Sequence, residues 1–323
     1  MSSKSDTLLF LSRPFLTKKQ ILKAQSNNIQ DHRAYNQKKL AIIKFLSDIC
    51  VQLRFPRKTL EAALYFYQRF YLFNKFETEL CYTIATSAIL LSCKQVETIK
   101  KSNEICSISL RLRSVAKVTP EILDNFKKRV CQHELRLLEA ISFDYRINNY
   151  VHIDEYVIKL GKELAFSQET CYLAWIIAYD VLKTEIILVV PQHTISLAVL
   201  KIAHELPNAK STWPTIRYTT FESDEKSFSE AYFDLLNFYI NSFDLCDLKD
   251  NMPSGLQSIS IDTFIELKKR AGREYGLKNP TDKEVDTDLY LSTQYDTSNV
   301  RERRYVLSAK SINSEVASMN QKP

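Results

Sequence analysis

The sequence predicts an all-α protein built from two tandem bundles of about five helices each. Apolar residues recur at helical spacing through most of the 323 residues, and no segment sustains the alternation of a strand. A pattern of small and aliphatic residues also occurs twice, at an offset of 111 residues (174 − 63). The matched positions are Ala63, Phe66, Tyr67, Ile84, Ala85 and Leu91 in the first copy and Ala174, Ile177, Ala178, Ile195, Ser196 and Ile202 in the second.

Six helices are predicted in the first half of the chain. A short leading helix spans 17–27 with Thr17 as its N-cap, and the next spans 31–53 and ends before Pro56. Helices follow over 57–74 and over 77–94, and the second of these carries a stripe of small residues that permits close helix approach. A weaker helix covers 102–113. A long one covers 120–141, opened by Pro120 at the first helical position.

The second copy of the pattern predicts helices over 152–164, 168–183, 192–206 and 224–243, with a loop between 207 and 223. After residue 249 polar residues accumulate, so a largely flexible tail is expected, with one helix over 261–270 and a short apolar island at Tyr305. The predicted division is an N-terminal segment over 1–30, a first bundle over 31–147, a second over 148–248 and a polar tail over 249–323.

Composition narrows the class of protein. With 45% hydrophobic and 25% charged residues the chain is expected to be soluble, and its four glycines form no phosphate-cradling loop. The seven cysteines contain no Cys-x-x-Cys pair, which indicates structural thiols in a reducing, intracellular compartment. The apolar run over 8–11 is too short for a signal peptide, and no later run approaches the ~18 apolar residues of a membrane span.

Catalytic and metal-binding patterns are missing from the sequence. The five histidines have no ligand spacing, and no cluster of serine, histidine and acid or glycine elbow occurs. His133 adjoins Glu134, but neighbouring helical residues point to different faces. We therefore expect a protein that is not an enzyme and that needs no cofactor or metal.

Glu134 is the most informative single residue. Val130 precedes it by one turn and Leu137 and Leu138 follow it, so its carboxylate lies on the apolar side of its helix. A buried carboxylate needs a cationic partner. Lys94 is the best candidate, because it closes a helix whose preceding turn is apolar. The alternative is that both side chains reach water separately.

Three segments together resemble the cyclin box. They are Ala63-Leu-Tyr-Phe-Tyr-Gln-Arg-Phe70, Leu90-Leu-Ser-Cys-Lys-Gln-Val-Glu97 and Glu134-Leu-Arg-Leu-Leu-Glu-Ala-Ile-Ser-Phe-Asp-Tyr145. The resemblance implies two tandem cyclin boxes and a non-catalytic subunit that activates a cyclin-dependent kinase. Carried over by position, the kinase-binding residues are Leu91, Lys94, Glu134, Leu138, Phe143 and Tyr145.

The chain is most similar to the transcriptional branch of that family. The segment between Lys94 and Glu134 is longer than in cell-cycle cyclins, and Lys39 and Gln68 stand where many of those have a paired arginine and aspartate. This resemblance implies a nuclear kinase that phosphorylates the C-terminal domain of RNA polymerase II and supports elongation and mRNA processing. It also implies a third, gamma subunit in the complex. A location in the cytoplasm as well stays open.

Basic residues cluster in that longer segment and just after it, although the net charge of the chain is only +6. Solvated helix faces explain such clusters, and an acidic or phosphorylated partner is the alternative. The candidate contacts are Lys100, Lys101, Arg111, Arg113, Lys127 and Lys128. A second hypothesis for the whole chain is a scaffold of the transcription factor IIB type that binds DNA or general transcription factors. The modest charge and the missing zinc-ribbon cysteine pair argue against it and against strong nucleic-acid binding.

Overall fold

A computed structural model describes residues 7–115, 117–145, 152–207, 213–253, 259–275, 288–291 and 303–321. The chain forms two compact units, Met1–Asn149 with Asp282–Pro323, and Tyr150–Thr281. The all-α class is confirmed. The predicted boundary between the bundles, at 147 and 148, lies outside the described residues. No helix in the described ranges is long and apolar enough to cross a membrane.

The first unit contains a short strand and six helices before residue 145. They are β1 (Leu8–Leu11), α1 (Lys18–Asn28), α2 (His32–Leu53), α3 (Arg57–Phe73), α4 (Cys81–Gln95), α5 (Ser102–Leu112) and α6 (Pro120–Ala140). Thr17 caps α1 as predicted, through a capping box with Gln20. The helix α4 begins four residues later than predicted, because the preceding residues form a turn in which Leu80 N donates to the Glu77 carbonyl.

The core of this unit is built around α3 and α4. Every residue of α3 from Thr59 to Phe73 is buried, since α1, α2, α4 and α6 all pack on it. The small residues of α4 allow α6 to approach closely, and Ser87 Oγ donates to the Val130 carbonyl at 2.7 Å. The last turn of α4 and the C-terminal half of α6 are thereby held side by side.

The second unit contains six helices in its described residues. They are α7 (Ile153–Glu163), α8 (Gln168–Asp180), α9 (Gln192–Glu205), α10 (Glu225–Ser242), α11 (Asp247–Asp250) and α12 (Ile261–Tyr275). The predicted helix over 168–183 ends at Asp180 and tightens into a 3₁₀ turn over Val181–Lys183. The helices α7 and α8 meet at Gly161, where a Cβ atom would collide with the sulfur of Cys171.

Several segments after residue 249 are ordered. The helix predicted over 261–270 is present as α12 and extends to Tyr275, whereas a second strand and the helix after it were not predicted. In the second unit, Phe264 of α12 is buried and stacks on Tyr239 of α10 with ring centroids 4.5 Å apart. In the first unit, β2 (Arg303–Val306) pairs in parallel with β1 and is followed by α13 (Ala309–Asn320). A few apolar residues, among them Tyr305 stacked on Phe10, are enough to anchor these segments.

Candidate functional site

The predicted pairing of Lys94 with Glu134 is present. Lys94 lies in the last turn of α4 and Glu134 lies on the facing side of α6, with 2.5 Å between Lys94 Nζ and Glu134 Oε1. The lysine also lies at the helix end where the backbone dipole favours a cation. The lysine side chain is 51% exposed and the glutamate side chain 16% exposed, so the pair lies at the surface.

That exposure sets how much the ion pair contributes to the fold. Pairs open to solvent stabilise a protein by about 1 kcal/mol or less. The core of the unit consists of apolar α3 and α4 side chains and does not depend on this pair. The pair is therefore available for a partner at little cost in stability.

The other four residues of the candidate face differ in how far they are exposed. Leu91 is 2% exposed and belongs to the core, while Leu138 is half-buried. Phe143 is 47% exposed and Tyr145 is 37% exposed, which makes them the apolar surface of the face. The candidate face thus combines a surface ion pair, two exposed rings and one leucine that belongs to the core.

Tyr145 lies close to the ion pair, through a hydrogen bond from Gln95 and the nearby charge of Glu134. Gln95 Nε2 donates to the Tyr145 carbonyl at 3.3 Å. Partial burial and then the nearby Glu134 charge raise the pKa of Tyr145, so its hydroxyl stays protonated at neutral pH. Reasoning from the sequence missed Gln95, although its position directly after Lys94 is a usable signal.

Residues Ser142–Tyr145, which we call the 142–145 turn, have a strained backbone. Ser142 has φ 57° and Phe143 has φ 54°, both in the left-handed region. For residues with a Cβ atom this conformation costs roughly 1–2 kcal/mol each. The turn directs Phe143 outward, and Phe143 N donates to the Leu138 carbonyl at 2.9 Å. Strained backbone persists only where the surroundings enforce it.

The six basic candidates do not form one cluster. Lys100 and Lys101 precede α5, while Arg111 and Arg113 lie at its other end, roughly 16 Å away for 11 residues. Lys127 and Lys128 lie on α6. Five of the six residues are exposed and Lys127 is half-buried, so all six can reach solvent.

Arg113 is the centre of a basic-aromatic cluster that sequence reasoning did not find. Its guanidinium carbon lies 5.2 Å from the Tyr82 ring and 5.7 Å from the Phe126 ring. Lys38 Nζ also lies 5.5 Å from the Tyr82 ring, and the Arg129 guanidinium carbon lies 5.9 Å from the Phe126 ring. Burial and the charge of Arg129 lower the pKa of Arg113. The cluster joins α2, α4 and α6 to the end of α5, and no sequence spacing indicates such a contact.

Within the described ranges no group of histidine, cysteine and acidic residues could hold a metal ion. Five of the seven cysteines are buried, and burial together with Cys93 raises the pKa of Cys50 to about 12.

The candidate face and the basic residues together offer an ion pair, exposed rings and cations. These groups suit the binding of another macromolecule.

The duplicated all-α scaffold with a lysine–glutamate pair at the end of α4 agrees with the expected cyclin fold. Residues 13–146 match the family described as cyclin, N-terminal domain. The chain is 62% identical to CTD kinase subunit beta of Saccharomyces cerevisiae over 98% of this chain and 97% of that protein. The protein of the same name from Schizosaccharomyces pombe is 28% identical over 61% of this chain and 59% of its own length.

A solved structure supports the same similarity to a CTD kinase subunit. One chain of the crystal structure of the yeast RNA Pol II CTD kinase CTDK-1 complex superposes with a TM-score of 0.90 and 62% identity. The match covers 96% of this chain and 99% of that one. The protein belongs to the cyclin family and, within it, groups with the CTD kinase beta subunits.

Proposed function

We propose that this chain is the regulatory cyclin subunit of a nuclear kinase that phosphorylates the C-terminal domain of RNA polymerase II. The observation that carries the proposal is 62% identity, along almost the whole length of both chains, to a CTD kinase subunit beta. Its partners are a cyclin-dependent kinase catalytic subunit and a third, gamma subunit. The polymerase tail is the substrate of the complex and is met indirectly by this chain.

The candidate face gives this proposal a mechanism. A protein kinase is active only when a lysine of its sheet meets a glutamate of its regulatory helix. The Lys94–Glu134 pair and the rings of Phe143 and Tyr145 form a rigid surface against which that kinase helix can be held. The chain then acts by positioning groups of the kinase and is itself non-catalytic.

The experiment is to measure kinase affinity and phosphorylation of a heptad-repeat peptide with Glu134→Ala. Removing the carboxylate leaves Lys94 unpaired where a partner would bury it, so we expect affinity to fall by at least about tenfold, or 1.4 kcal/mol. The matched control is Asp124→Ala. It removes an exposed carboxylate from the same helix, ten residues and about 15 Å from Glu134.

Wild-type affinity and wild-type kinase activity in Glu134→Ala would contradict the assignment of this face. Tight duplex DNA binding by the chain alone at physiological salt, with no kinase binding, would favour the transcription factor IIB type of scaffold.

The basic residues support a separate and narrower proposal, that in addition to this indirect link they bind a phosphorylated segment of the polymerase tail or an acidic loop of a partner. Among the described residues no carboxylate is paired with Arg113, so its charge faces rings and solvent. Reversing Arg111 and Arg113 to glutamate should weaken phosphorylation of a prephosphorylated peptide and flatten its dependence on salt. Reversing the exposed Lys159 and Lys162 on α7 changes the net charge equally and serves as the control. Identical salt profiles for both variants would exclude the proposal.

A further inference from the structure

A buried junction connects the two ends of the first unit. Arg69 of α3 is 1% exposed, and its Nε donates to the Ala140 carbonyl at 3.1 Å. Its Nη2 donates to the Arg13 carbonyl at 2.6 Å and to the Tyr290 hydroxyl at 2.9 Å. One cation thus joins α3, the end of α6, the N-terminal segment and the C-terminal segment.

Tyr290 links that junction to the 142–145 turn. Its ring is 2% exposed and packs edge-on against Phe73 and Phe10. Its hydroxyl lies 2.9 Å from Ser142 Oγ, and Ser142 is the first of the two left-handed residues that lead to Phe143. A residue 148 positions further along the chain therefore contacts the strained turn directly.

The direction of the hydrogen bond between Tyr290 and Ser142 follows from counting donors. A tyrosine hydroxyl has one proton to donate and two lone pairs that accept. Arg69 Nη2 donates to one lone pair, and the Arg13 backbone N donates to the other at 3.3 Å. The single proton of Tyr290 is therefore directed to Ser142 Oγ. Removing this hydroxyl would disturb three contacts at once, two of them made by groups that the fold has buried.

Other contacts hold Tyr290 and the turn in place. Asp288 accepts from Tyr290 N at 3.1 Å and forms an ion pair with Arg13. Ser12 Oγ also donates to Asp144 Oδ2 in the turn, at 2.9 Å. The N-terminal and C-terminal segments thus both contact the turn, and the β1–β2 pairing joins these two segments to each other.

We propose that Tyr290 is a positioning residue for kinase binding, because its hydroxyl holds Ser142 in the conformation that presents Phe143 to the partner. This inference rests on the proposed function, in which the 142–145 turn contacts the kinase. It assigns the C-terminal segment around residues 288–291 a role in partner binding, although Tyr290 is buried and does not touch the partner.

The test is Tyr290→Phe in the full-length chain, which keeps the ring and removes only the hydroxyl. We expect affinity for the kinase subunit to fall at least fivefold while the helical circular dichroism spectrum is unchanged. In the wild-type chain the amides of Ser142, Phe143 and Asp144 donate to carbonyls of the preceding turn. In the free variant, hydrogen exchange at these three amides should be faster.

Tyr239→Phe is the matched control, because it removes another buried tyrosine hydroxyl, one that donates to Asp180 in the second unit. It should lower stability without changing kinase affinity or exchange at the turn. Ser142→Ala should reproduce the affinity loss of Tyr290→Phe, and the double variant should lose little more, because both remove the same hydrogen bond.

The outcomes separate the two proposals. If the wild-type chain does not bind the kinase, the proposed function fails and this inference fails with it. If the wild-type chain binds and Tyr290→Phe binds equally well, only the role of Tyr290 is overturned. Additive losses in the double variant, or unchanged exchange at the turn, would also overturn it.

Discussion

Phe143 is the residue of the candidate face whose contribution to kinase binding can be estimated from its exposure. It is 47% exposed, and with about 200 Å² for a phenylalanine side chain this leaves about 95 Å² of apolar surface to be buried by a partner. At ~25 cal/mol per Å², burying that surface contributes about 2.4 kcal/mol. Phe143→Ala should therefore weaken kinase binding about 50-fold, since 1.4 kcal/mol corresponds to a factor of ten.

The assay is titration calorimetry of the purified kinase subunit with each variant. Alanine keeps a Cβ atom, so the left-handed strain at this position is unchanged. Ile122→Ala is the control, because Ile122 is 40% exposed and lies on α6, the helix before the 142–145 turn, about 27 Å and 18 residues from its last residue, Ala140. It should bind like wild type. A loss of less than about threefold for Phe143→Ala, or an equal loss for Ile122→Ala, would refute the reasoning from exposed area.

Two further predictions concern stability. Burial raises the pKa of Tyr65 to about 12, above the ordinary value of 10, so wild type loses stability as the pH rises from about 10 to 12. Tyr65→Phe loses the hydrogen bond to the Pro14 carbonyl, so the variant should be about 1 kcal/mol less stable than wild type at pH 8. Near pH 11 the two proteins should be equally stable in urea unfolding. A difference in the free energy of unfolding that stays the same at both pH values would contradict this. Asp180 is buried and accepts from Lys183, from Tyr239 and from two backbone amides. Asp180→Asn should lower the free energy of unfolding by about 3 kcal/mol, and a loss below about 1 kcal/mol would show that these donors do not need the charge.

The helices were predictable because their signals are local. The N-cap at Thr17, the proline at Pro120 and the apolar spacing of α10 each act within a few residues. The pairing of β1 with β2 was not predictable, because it joins segments almost 300 residues apart and each strand has only four residues. Tertiary contacts of single aromatic residues, such as Tyr305 on Phe10, order segments whose composition is polar.

The candidate site also contains contacts that the sequence indicates and contacts that it does not. The position of Glu134 on the apolar side of its helix made a contact with Lys94 one of two alternatives, and the resemblance to the cyclin box favoured it over separate exposure to water. Tyr290 could not be assigned to the site from the sequence, because nothing near it carries a helical or strand period. Its role depends on the donor count at one buried hydroxyl, which is a property of the folded chain.

The two copies of the scaffold differ physically at the helix end that carries Lys94 in the first. In the second copy the matching residue is Glu205, only 1% exposed, whereas the Lys94 side chain is 51% exposed. The Glu205 carboxylate accepts from the Tyr232 hydroxyl and forms an ion pair with Arg270 of α12. Burial raises the pKa of Glu205, and its neighbours hold the carboxylate inside the unit. In the second copy, α12 of the same unit therefore supplies the charge partner of the residue that matches Lys94. Within the residues that the structure describes, the duplication leaves the charge at the α4 end half-exposed and buries the one at the α9 end.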